Sequence, residues 1–478
     1  MRLLKNKVVM PFGNPVWNIL ERKDTCSMAF FKTKVMAAKQ MTMKVVNTQA
    51  AGIDVGSRSH YVAVGQGVDQ VKEFGVYNRD HELMIDWLKA HQVTTIAMES
   101  TGNYWQTLFS ALQEAGFEVL LVNGRHTQNV RGKTDVKDCQ WLQQLHSLGL
   151  LRGSFLPSGS IDRMRTYQRH RNWLIEQCAA LSNKMQKAMR LMNIRLDIAL
   201  SDILGKSGRR IIEAILNGER DGQQLACLVS GHVKKSPQQI ADALTGNWKP
   251  ELLFELQDCY ELYKVYEQRI ANVDSQLEAL LKELTPMVAV PALDLKRKRS
   301  YRNQQQFDVP LLSHRYLGVN LFDIDGISHA TVMSFLTEIG LDICKFPTAK
   351  AFTHWLRLAP NNKITGSRVV SSRTPRGKHA FALVLRNAAN SIGLSKAGTL
   401  KSFFARIAFK KGRAAAITAT ARKLAVIIWN MVTKQQPYTP ISEDCYADKI
   451  RTSVLSNIKK KLQKHHLSIP DLQAIMIS

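Results

Sequence analysis

Apolar and polar residues follow two different periods in the first third of the chain. Three short runs near the start have the pattern of strands, at 51–55, 60–65 and 71–77. The run DHELMIDWLKAH then has the spacing of a helix, since Leu83, Trp87 and Leu88 fall on one stripe. Strands and helices alternate after that, in the segments TTIAMES, NYWQTLFSALQEAG, FEVLLVN and TDVKDCQWLQQLHSL. The predicted order of elements is βββαβαβα.

This order favours one fold class for the first region. Three strands joined by short turns make a meander, and the alternating units that follow add parallel strands with helices on the faces of the sheet. A ribonuclease-H-like (RuvC-like) domain has the same order. We therefore expect an α/β domain here and, because the later periodicity is helical, an all-α remainder.

An acidic residue, Asp54, lies inside the first predicted strand, in the stretch AGIDVGSRSHYVAV. Ile53 and Val55 point to one face and Asp54 to the other, so Asp54 could be the solvated side of an edge strand. The functional interpretation of Asp54 therefore depends on whether other carboxylates recur at comparable positions.

Three more carboxylates do recur. Glu99 ends the fourth predicted strand, and Asp135 and Asp138 lie in the first turn of the last helix, on one helical face. Parallel strand ends open toward one edge of the sheet, so the four acids are expected to converge. Such a cluster is repulsive unless cations occupy it, and two Mg²⁺ ions are the usual solution in phosphodiester chemistry. Taken singly, Glu99 could cap the next helix and Asp135 could simply favour its helix dipole.

A heptad pattern dominates the middle of the chain. Apolar residues recur in alternating steps of four and three from Leu252 to Leu284, before Pro286. The spacing leaves two interpretations open, a helix packed on its own domain or a coiled coil between copies. An earlier helical stretch, RTYQRHRNWLIEQCAALSNKMQKAMRLM, would supply an antiparallel partner. The composition of LDLKRKRSYRNQQQ predicts an exposed basic linker.

The last third of the chain contains two segments suited to nucleic acid. FDIDGISHATVMSFLTEIG predicts a turn followed by a helix, as in helix-hairpin-helix elements, whose backbone N–H groups bind phosphate. TGSRVVSSRTPRGKH combines hydroxyl residues, glycines and cations, although a solvated basic loop would look similar. The expected nucleic-acid contacts are Arg368, Arg373, Arg376, Lys378, His379 and Arg386.

The net charge of the chain indicates which kinds of molecule it binds. The 66 Lys+Arg against 39 Asp+Glu give a formal net charge of +27, which favours a polyanion, nucleic acid above all. An anionic membrane is the rival partner, but the apolar run LAVIIW is far shorter than the roughly 20 residues of a membrane span. The seven Cys are scattered without CxxC or zinc spacing, which predicts reduced thiols and a cytoplasmic protein.

These patterns predict six segments. The first is expected to be poorly ordered, with Met41 and Met43 as alternative starts of a compact chain. The predicted segments are an extension at 1–47, the RuvC-like catalytic domain at 48–155, a helical region with the coiled-coil heptads at 156–290, a basic linker at 291–315, a C-terminal domain at 316–440 and a basic tail at 441–478.

Several motifs together resemble one known family. They are GIDVGSRSHYVAV, AMESTGNYW, VLLVNGRHTQNVRGKTDVKDCQWLQQL, IDGISHATVMSFLTEIG and WLRLAPNNKITGSRVVSSRTPRGKHAFALVLRNAAN, over roughly 51–155 and 316–435. They look like the insertion-sequence transposases with an Asp-Glu-Asp-Asp (DEDD) tetrad, which include Piv-type DNA invertases and bridge-RNA-guided recombinases. By this resemblance the tetrad is Asp54, Glu99, Asp135 and Asp138, the ligands of Mg²⁺.

The resemblance also implies a mechanism and partners. Family members attack DNA with a serine hydroxyl that follows an LAP-like segment, form a covalent protein–DNA intermediate and use a structured noncoding RNA as guide. They assemble as homo-oligomers, which favours a dimer or tetramer through the coiled coil. Here Thr365 occupies the serine position, in ITGSRVV, and its extra methyl crowds the attack. Ser367 is the alternative nucleophile.

Other function classes fit parts of the sequence. A hydrolytic RuvC-like nuclease would need only the tetrad, and a nucleic-acid-binding scaffold would need only the basic surface. GIDVGSRS also resembles the first phosphate loop of actin-like sugar kinases. A second phosphate loop is missing from the sequence, and the positive charge disfavours a small-molecule kinase. DNA transposition therefore remains the predicted function.

Overall fold

The computed structural model describes residues 44–124, 134–230, 233, 235–285, 302–375, 377, 379–440 and 443–466. The chain forms two compact units, Met1–Phe155 and Leu156–Ser478. Almost all of the predicted extension 1–47, residues 291–301 of the predicted linker and the last part of the predicted tail lie outside the described residues. Arg376 and Lys378 lie outside them as well.

The first unit has the predicted order of elements. Its strands and helices are β1 (Ala50–Val55), β2 (His60–Ala63), β3 (Val71–Phe74), α1 (Asn78–Ala90), β4 (Thr95–Glu99), α2 (Trp105–Glu114), β5 (Glu118–Val122) and α3 (Asp135–Ser147). Helix α1 forms where it was expected, but its buried residues are His81, Met84 and Leu88, and Leu83 of the predicted stripe is exposed. The prediction of a mixed α/β first region is confirmed.

The five strands form one sheet in the order β3-β2-β1-β4-β5. Strand β2 runs antiparallel to β1 and β3, whereas β4 is parallel to both β1 and β5. The meander therefore occupies one side of the sheet and the crossover strands the other. The carboxyl ends of β1, β4 and β5 open at a common edge, as parallel strands require.

Helix α3 lies directly on β1, and Gly52 makes this possible. A Cβ at Gly52 would overlap the main chain of α3 at Cys139 and Gln143. Hydrogen bonds fix the direction of the helix: Gln143 Nε2 donates to the Ala50 carbonyl at 3.2 Å, and His146 Nε2 lies 2.9 Å from Thr95 Oγ1. The C-terminal half of α3 thus lies over the strand beginnings, so its first turn points to the strand ends.

The second unit is mainly helical, as predicted. Its helices are α4 (Gly159–Leu191), α5 (Leu196–Ala199), α6 (Lys206–Leu216), α7 (Gly222–Cys227), α8 (Pro237–Leu244), α9 (Pro250–Leu284), α10 (Val309–Leu317), α11 (His329–Glu338), α12 (Ala349–Trp355), α13 (Ala380–Leu394), α14 (Thr399–Lys411), α15 (Arg413–Lys434) and α16 (Glu443–Lys464). A hairpin of β6 (Lys363–Thr365) and β7 (Arg368–Ser371) interrupts the helices.

The heptad seam is packed inside this chain. Helices α4 and α9 run antiparallel, since ion pairs join Arg163 to Glu283, Arg171 to Asp274 and Lys184 to Glu255. The buried seam positions are Leu256, Cys259, Tyr263, Val273, Leu277 and Leu280. Of the two interpretations that the spacing left open, packing on the helix's own domain therefore accounts for these residues, with the predicted antiparallel partner. An oligomer through this seam stays a prediction.

The α4–α9 hairpin contributes to two separate cores. The C-terminal half of α4 and the N-terminal half of α9, including Met185, Met189 and Leu256, pack with α5 to α8. The N-terminal half of α4 and the C-terminal half of α9, including Met164 and Leu277, pack with α10 to α15. The almost completely buried Arg171–Asp274 pair lies within the part that packs with α10 to α15, and each partner makes a further hydrogen bond to the segment at 303–306.

Gly326 provides the turn before α11. It adopts a positive φ of 79°, and a Cβ there would contact Ile392 of α13. Packing against α13 is thus sufficient to explain this glycine, whereas phosphate binding by a helix-hairpin-helix element stays a prediction.

Among the described helices, α15 is the one long and apolar enough to cross a membrane by length and composition. Its apolar face, which includes Leu424, Ala425 and Ile428, is buried in the core formed with α11, α12 and α13. A core helix has the same composition as a membrane span, and the packing explains why α15 is apolar.

We predict that Gly52→Ala separates α3 from β1. The added methyl would overlap α3 main chain, which cannot move as a flexible side chain can, so we expect a loss of about 1–3 kcal/mol in unfolding free energy. Thermal melting and the alkylation rate of the buried Cys139 thiol measure this change. Gly159→Ala is the control, since a Cβ there meets nothing within 4 Å. Unchanged melting and a still protected Cys139 would contradict the importance of this contact.

Candidate active site

Asp54 and Glu99 occupy equivalent positions on neighbouring parallel strands. The register pairs Ile53 with Met98, so the next residues along, Asp54 and Glu99, stand side by side about 4.8 Å apart at their Cα atoms. Both side chains are half-buried. Asp54 is two residues beyond Gly52 and so points to the face that α3 covers. The strands thus place two of the predicted acids together beneath α3.

The first turn of α3 supplies the other two acids. Thr134 caps this helix by accepting a hydrogen bond from the Lys137 N–H at 3.3 Å, which starts the helix at Asp135. Asp135 is exposed and Asp138 half-buried, one helical turn apart. Since α3 runs antiparallel to β1, this turn lies toward the strand end that carries Asp54.

Two titratable groups near these acids have raised pKa values, to which the charges of the acids contribute. Burial raises the pKa of the Cys139 thiol to about 12, and the negative charges of Asp54 and Asp138 add to the rise. A hydrogen bond to Glu73 raises the pKa of Tyr61, to which the charge of Asp135 also contributes. Tyr61 on β2 is the register partner of Asp54 on β1. Asp54, Asp135 and Asp138 therefore share one end of the sheet.

The carboxylate of Glu99 has its own support. A Cβ at Gly124, just beyond β5, would overlap this carboxylate, so the glycine leaves the space that Glu99 occupies. Among the residues the structure describes, however, no three His, Cys, Asp or Glu side chains are arranged as ligands of a single metal ion. The acids lie as two neighbouring pairs, one on the strands and one on the helix.

The predicted nucleophiles flank the tip of the β6–β7 hairpin. Thr365 ends β6 and pairs with Arg368 of β7. Gly366 between them has a positive φ of 58°, a conformation that favours glycine. Thr365 and Ser367 are both exposed. The fold therefore presents two hydroxyl groups and one guanidinium at the same turn.

The remaining predicted contacts differ in environment. Arg368 is exposed on the hairpin and Arg373 is exposed in the segment that follows it, while Arg386 is half-buried on α13. The imidazole of His379 instead packs edge-on against Trp355, with ring centroids 4.2 Å apart. Burial, together with the nearby Arg357, lowers the pKa of His379 to about 4. A neutral imidazole adds no charge to a phosphate site.

Two sequence regions match known families. Residues 51–194 match the DEDD domain of the IS110 family, described as a transposase, and 319–404 match the "Transposase IS116/IS110/IS902 family". These regions contain the four acids and Thr365. The chain belongs to the IS110 family of DEDD transposases. A comparison with curated proteins gives no match.

Membership of the IS110 family gives the chain its general activity. It is a DNA transposase of an insertion sequence, and DNA is its partner. DEDD transposases generally use divalent metal ions. The resemblance inferred from sequence motifs is therefore confirmed at the level of the family.

Sequence reasoning missed several residues of this IS110-family chain. Tyr61, on β2, is the register partner of Asp54 on β1, and the sequence pattern does not display strand register. Arg357 has a positive φ of 57°, uncommon for arginine, and a Cβ at Gly377 would overlap its guanidinium. The glycine in RTPRGKH was the available signal, since it permits this close approach at the base of the hairpin segment.

Proposed function

We propose that this transposase cleaves and exchanges DNA strands at a Mg²⁺ site made by the tetrad. One observation carries the proposal: strand register sets Asp54 beside Glu99, and the contact at Gly52 brings the first turn of α3 to the same strand end. Four carboxylates on one sheet edge have little purpose in packing, because like charges repel. Binding of a metal ion would explain why the four carboxylates are grouped.

The strand order supports a ribonuclease-H-like fold for this domain. A central β1 flanked by antiparallel β2 and parallel β4, with a helix across β1, matches the architecture predicted from the order of elements. In that architecture the acid on the first strand is the central ligand. Asp54 is the residue that we assign to this role.

The donor set suits Mg²⁺ chemically. Carboxylate oxygens are hard ligands of the kind that Mg²⁺ prefers, and the four acids contain no thiolate or imidazole that would select a softer metal. The bound metal would supply charge that polarises the scissile phosphate. Asp54 and Glu99 would hold it from the strands, and Asp135 and Asp138 from the helix.

The attacking group that we assign is the hydroxyl of Thr365, with Ser367 as the alternative. In the proposed step, a bond forms between the hydroxyl oxygen and the scissile phosphorus, the bond from phosphorus to the leaving sugar oxygen breaks, and the hydroxyl proton passes in net to that leaving oxygen. Exposure of both hydroxyls and the neighbouring Arg368 support this assignment, since a guanidinium can bind the phosphate that the hydroxyl attacks.

Asp54→Asn tests the metal site. We expect cleavage of transposon-end DNA in Mg²⁺ to fall by more than about 100-fold, because the variant keeps the shape but loses a charged ligand. DNA affinity should remain, since basic residues supply it. Titration calorimetry with Mg²⁺ should show weakened binding. Asp86→Asn is the control, an exposed acid on α1 of the same unit. Cleavage at the wild-type rate in both Asp54→Asn and Asp138→Asn would show that the tetrad is wrongly assigned.

Thr365 is tested by its covalent product. Thr365→Val keeps the shape of the side chain and should abolish a protease-sensitive DNA adduct on a denaturing gel, whereas Thr365→Ser should raise adduct formation by removing the crowding methyl. If Ser367 is the nucleophile, Ser367→Ala abolishes the adduct and Thr365→Val does not. An adduct that persists in the double variant would exclude both residues. Cleavage with free ends and no adduct would instead indicate a hydrolytic nuclease.

We further propose that a structured noncoding RNA guides the chain and that the active complex is a dimer or tetramer. The formal charge of +27 supports binding of both nucleic acids. Light scattering of the purified complex would give its mass, and sequencing its RNA would identify any guide. We expect one dominant RNA species with loops complementary to the flanks of the element. A monomer carrying only heterogeneous RNA would contradict both parts.

A further inference from the structure

Charge is very unevenly distributed along this chain. The 100 residues from 343 to 442 contain 18 Lys and Arg but no Asp or Glu. This fifth of the sequence carries two thirds of the formal net charge. The predicted DNA-binding hairpin accounts for part of it, but a second group of cations lies well beyond the hairpin, at the corner where α14 ends and α15 begins.

This corner displays an aromatic ring among cations. Phe409, in the last turn of α14, is 94% exposed, more than any other large apolar residue described. Arg406, three residues before Phe409, shares its helical face, and Lys410 is the next residue along the helix. Lys411 and Arg413 follow on either side of Gly412, and all four cations are exposed. We call Arg406, Phe409, Lys410, Lys411 and Arg413 the α14 corner.

Phe409 differs from the other phenylalanines of α14. Phe404 is buried in the protein and lies beneath the guanidinium of Arg413, with 5.8 Å from Cζ to the ring centroid. Phe403 is half-buried and lies beneath Lys423, at 4.5 Å from Nζ. Among the described residues, no ring or cation contact to Phe409 is found. Its ring faces solvent on both sides.

We infer that the α14 corner binds single-stranded nucleic acid, with an unpaired base stacked on Phe409 and the flanking phosphates held by its cations. A positively charged surface that carries an exposed aromatic ring is the arrangement by which proteins bind single strands. The bases of a duplex are already stacked on each other and offer no such face. The inference rests on the proposed function, in which unpaired DNA or RNA occurs during strand exchange.

Charge complementarity selects this partner over the alternatives. An acidic protein could pair with the cations, but it would not require an aromatic ring at their centre. A membrane surface requires a broad apolar face, whereas Phe409 is accompanied in the corner by the cations Arg406, Lys410 and Lys411. Stacking of a base uses one ring and neighbouring cations together, which is what the corner contains.

Phe409→Ala in the full-length protein tests the inference. We expect the affinity for a labelled oligo-dT or oligo-rU of about 12 nucleotides to fall about tenfold, with little change for a duplex of the same length. Phe409→Trp should retain affinity, because its ring also stacks. The two oligonucleotides determine whether the corner distinguishes DNA from RNA. Lys410→Ala with Lys411→Ala should instead reduce the salt dependence of single-strand binding.

The chain offers a matched control in Phe254 on α9, which is 74% exposed but neighbours Glu251, Glu255 and Asp258. Phe254→Ala should leave single-strand affinity unchanged. The inference is overturned if Phe409→Ala binds oligo-dT and oligo-rU as wild type does, if duplex binding falls equally, or if only binding to anionic vesicles is lost. Asp54→Asn keeps the two proposals distinguishable, since it should lose cleavage yet bind oligo-dT as wild type does.

Discussion

The close packing of α3 on β1 is the contact on which the proposed active site depends. Gly52 has no side chain, so the main chain of α3 approaches the strand at Cys139 and Gln143. Two hydrogen bonds from the C-terminal half of the helix then set its direction. Only with this direction does the first turn of α3 reach the strand end that carries Asp54 and Glu99. A larger residue at position 52 would move two of the four acids away from the other two.

The second unit depends on a different interaction, the antiparallel packing of α4 and α9. One antiparallel pair of long helices is shared by two apolar cores, and the Arg171–Asp274 pair is buried in the part that packs with α10 to α15. The charges are paired in two parallel hydrogen bonds and have further backbone partners, so burying them leaves little unsatisfied. Replacing one partner alone would leave an uncompensated buried charge. The pair therefore favours one register of the helices over a sliding apolar seam.

The chain separates its acidic and basic functions. The carboxylates that could hold metal lie in the first unit. The hydroxyl groups of Thr365 and Ser367 and the acid-free stretch 343–442 lie in the second. This separation suits an enzyme of nucleic acid, because phosphates are attracted to the basic surface while the acids need cations before they can approach phosphate. Within the basic stretch, cations differ in role. Those at the hairpin accompany hydroxyls, those at the α14 corner surround an aromatic ring, and His379 is kept neutral by burial.

The sequence alone predicted the order of strands and helices in the first unit, proposed the four acids as candidate ligands and identified the family. Hydrophobic period depends on local side-chain spacing, and the motifs are contiguous, so both can be recognised without coordinates. Tertiary structure decided what depends on contacts between distant residues. The heptad seam of α9 is packed against α4, because spacing gives an apolar face but not its partner. Tyr61 lies beside Asp54 through strand register, His379 packs edge-on against Trp355, and Phe409 is exposed on an otherwise amphipathic helix. Each of these follows from what the rest of the chain places next to the residue, which no local pattern specifies.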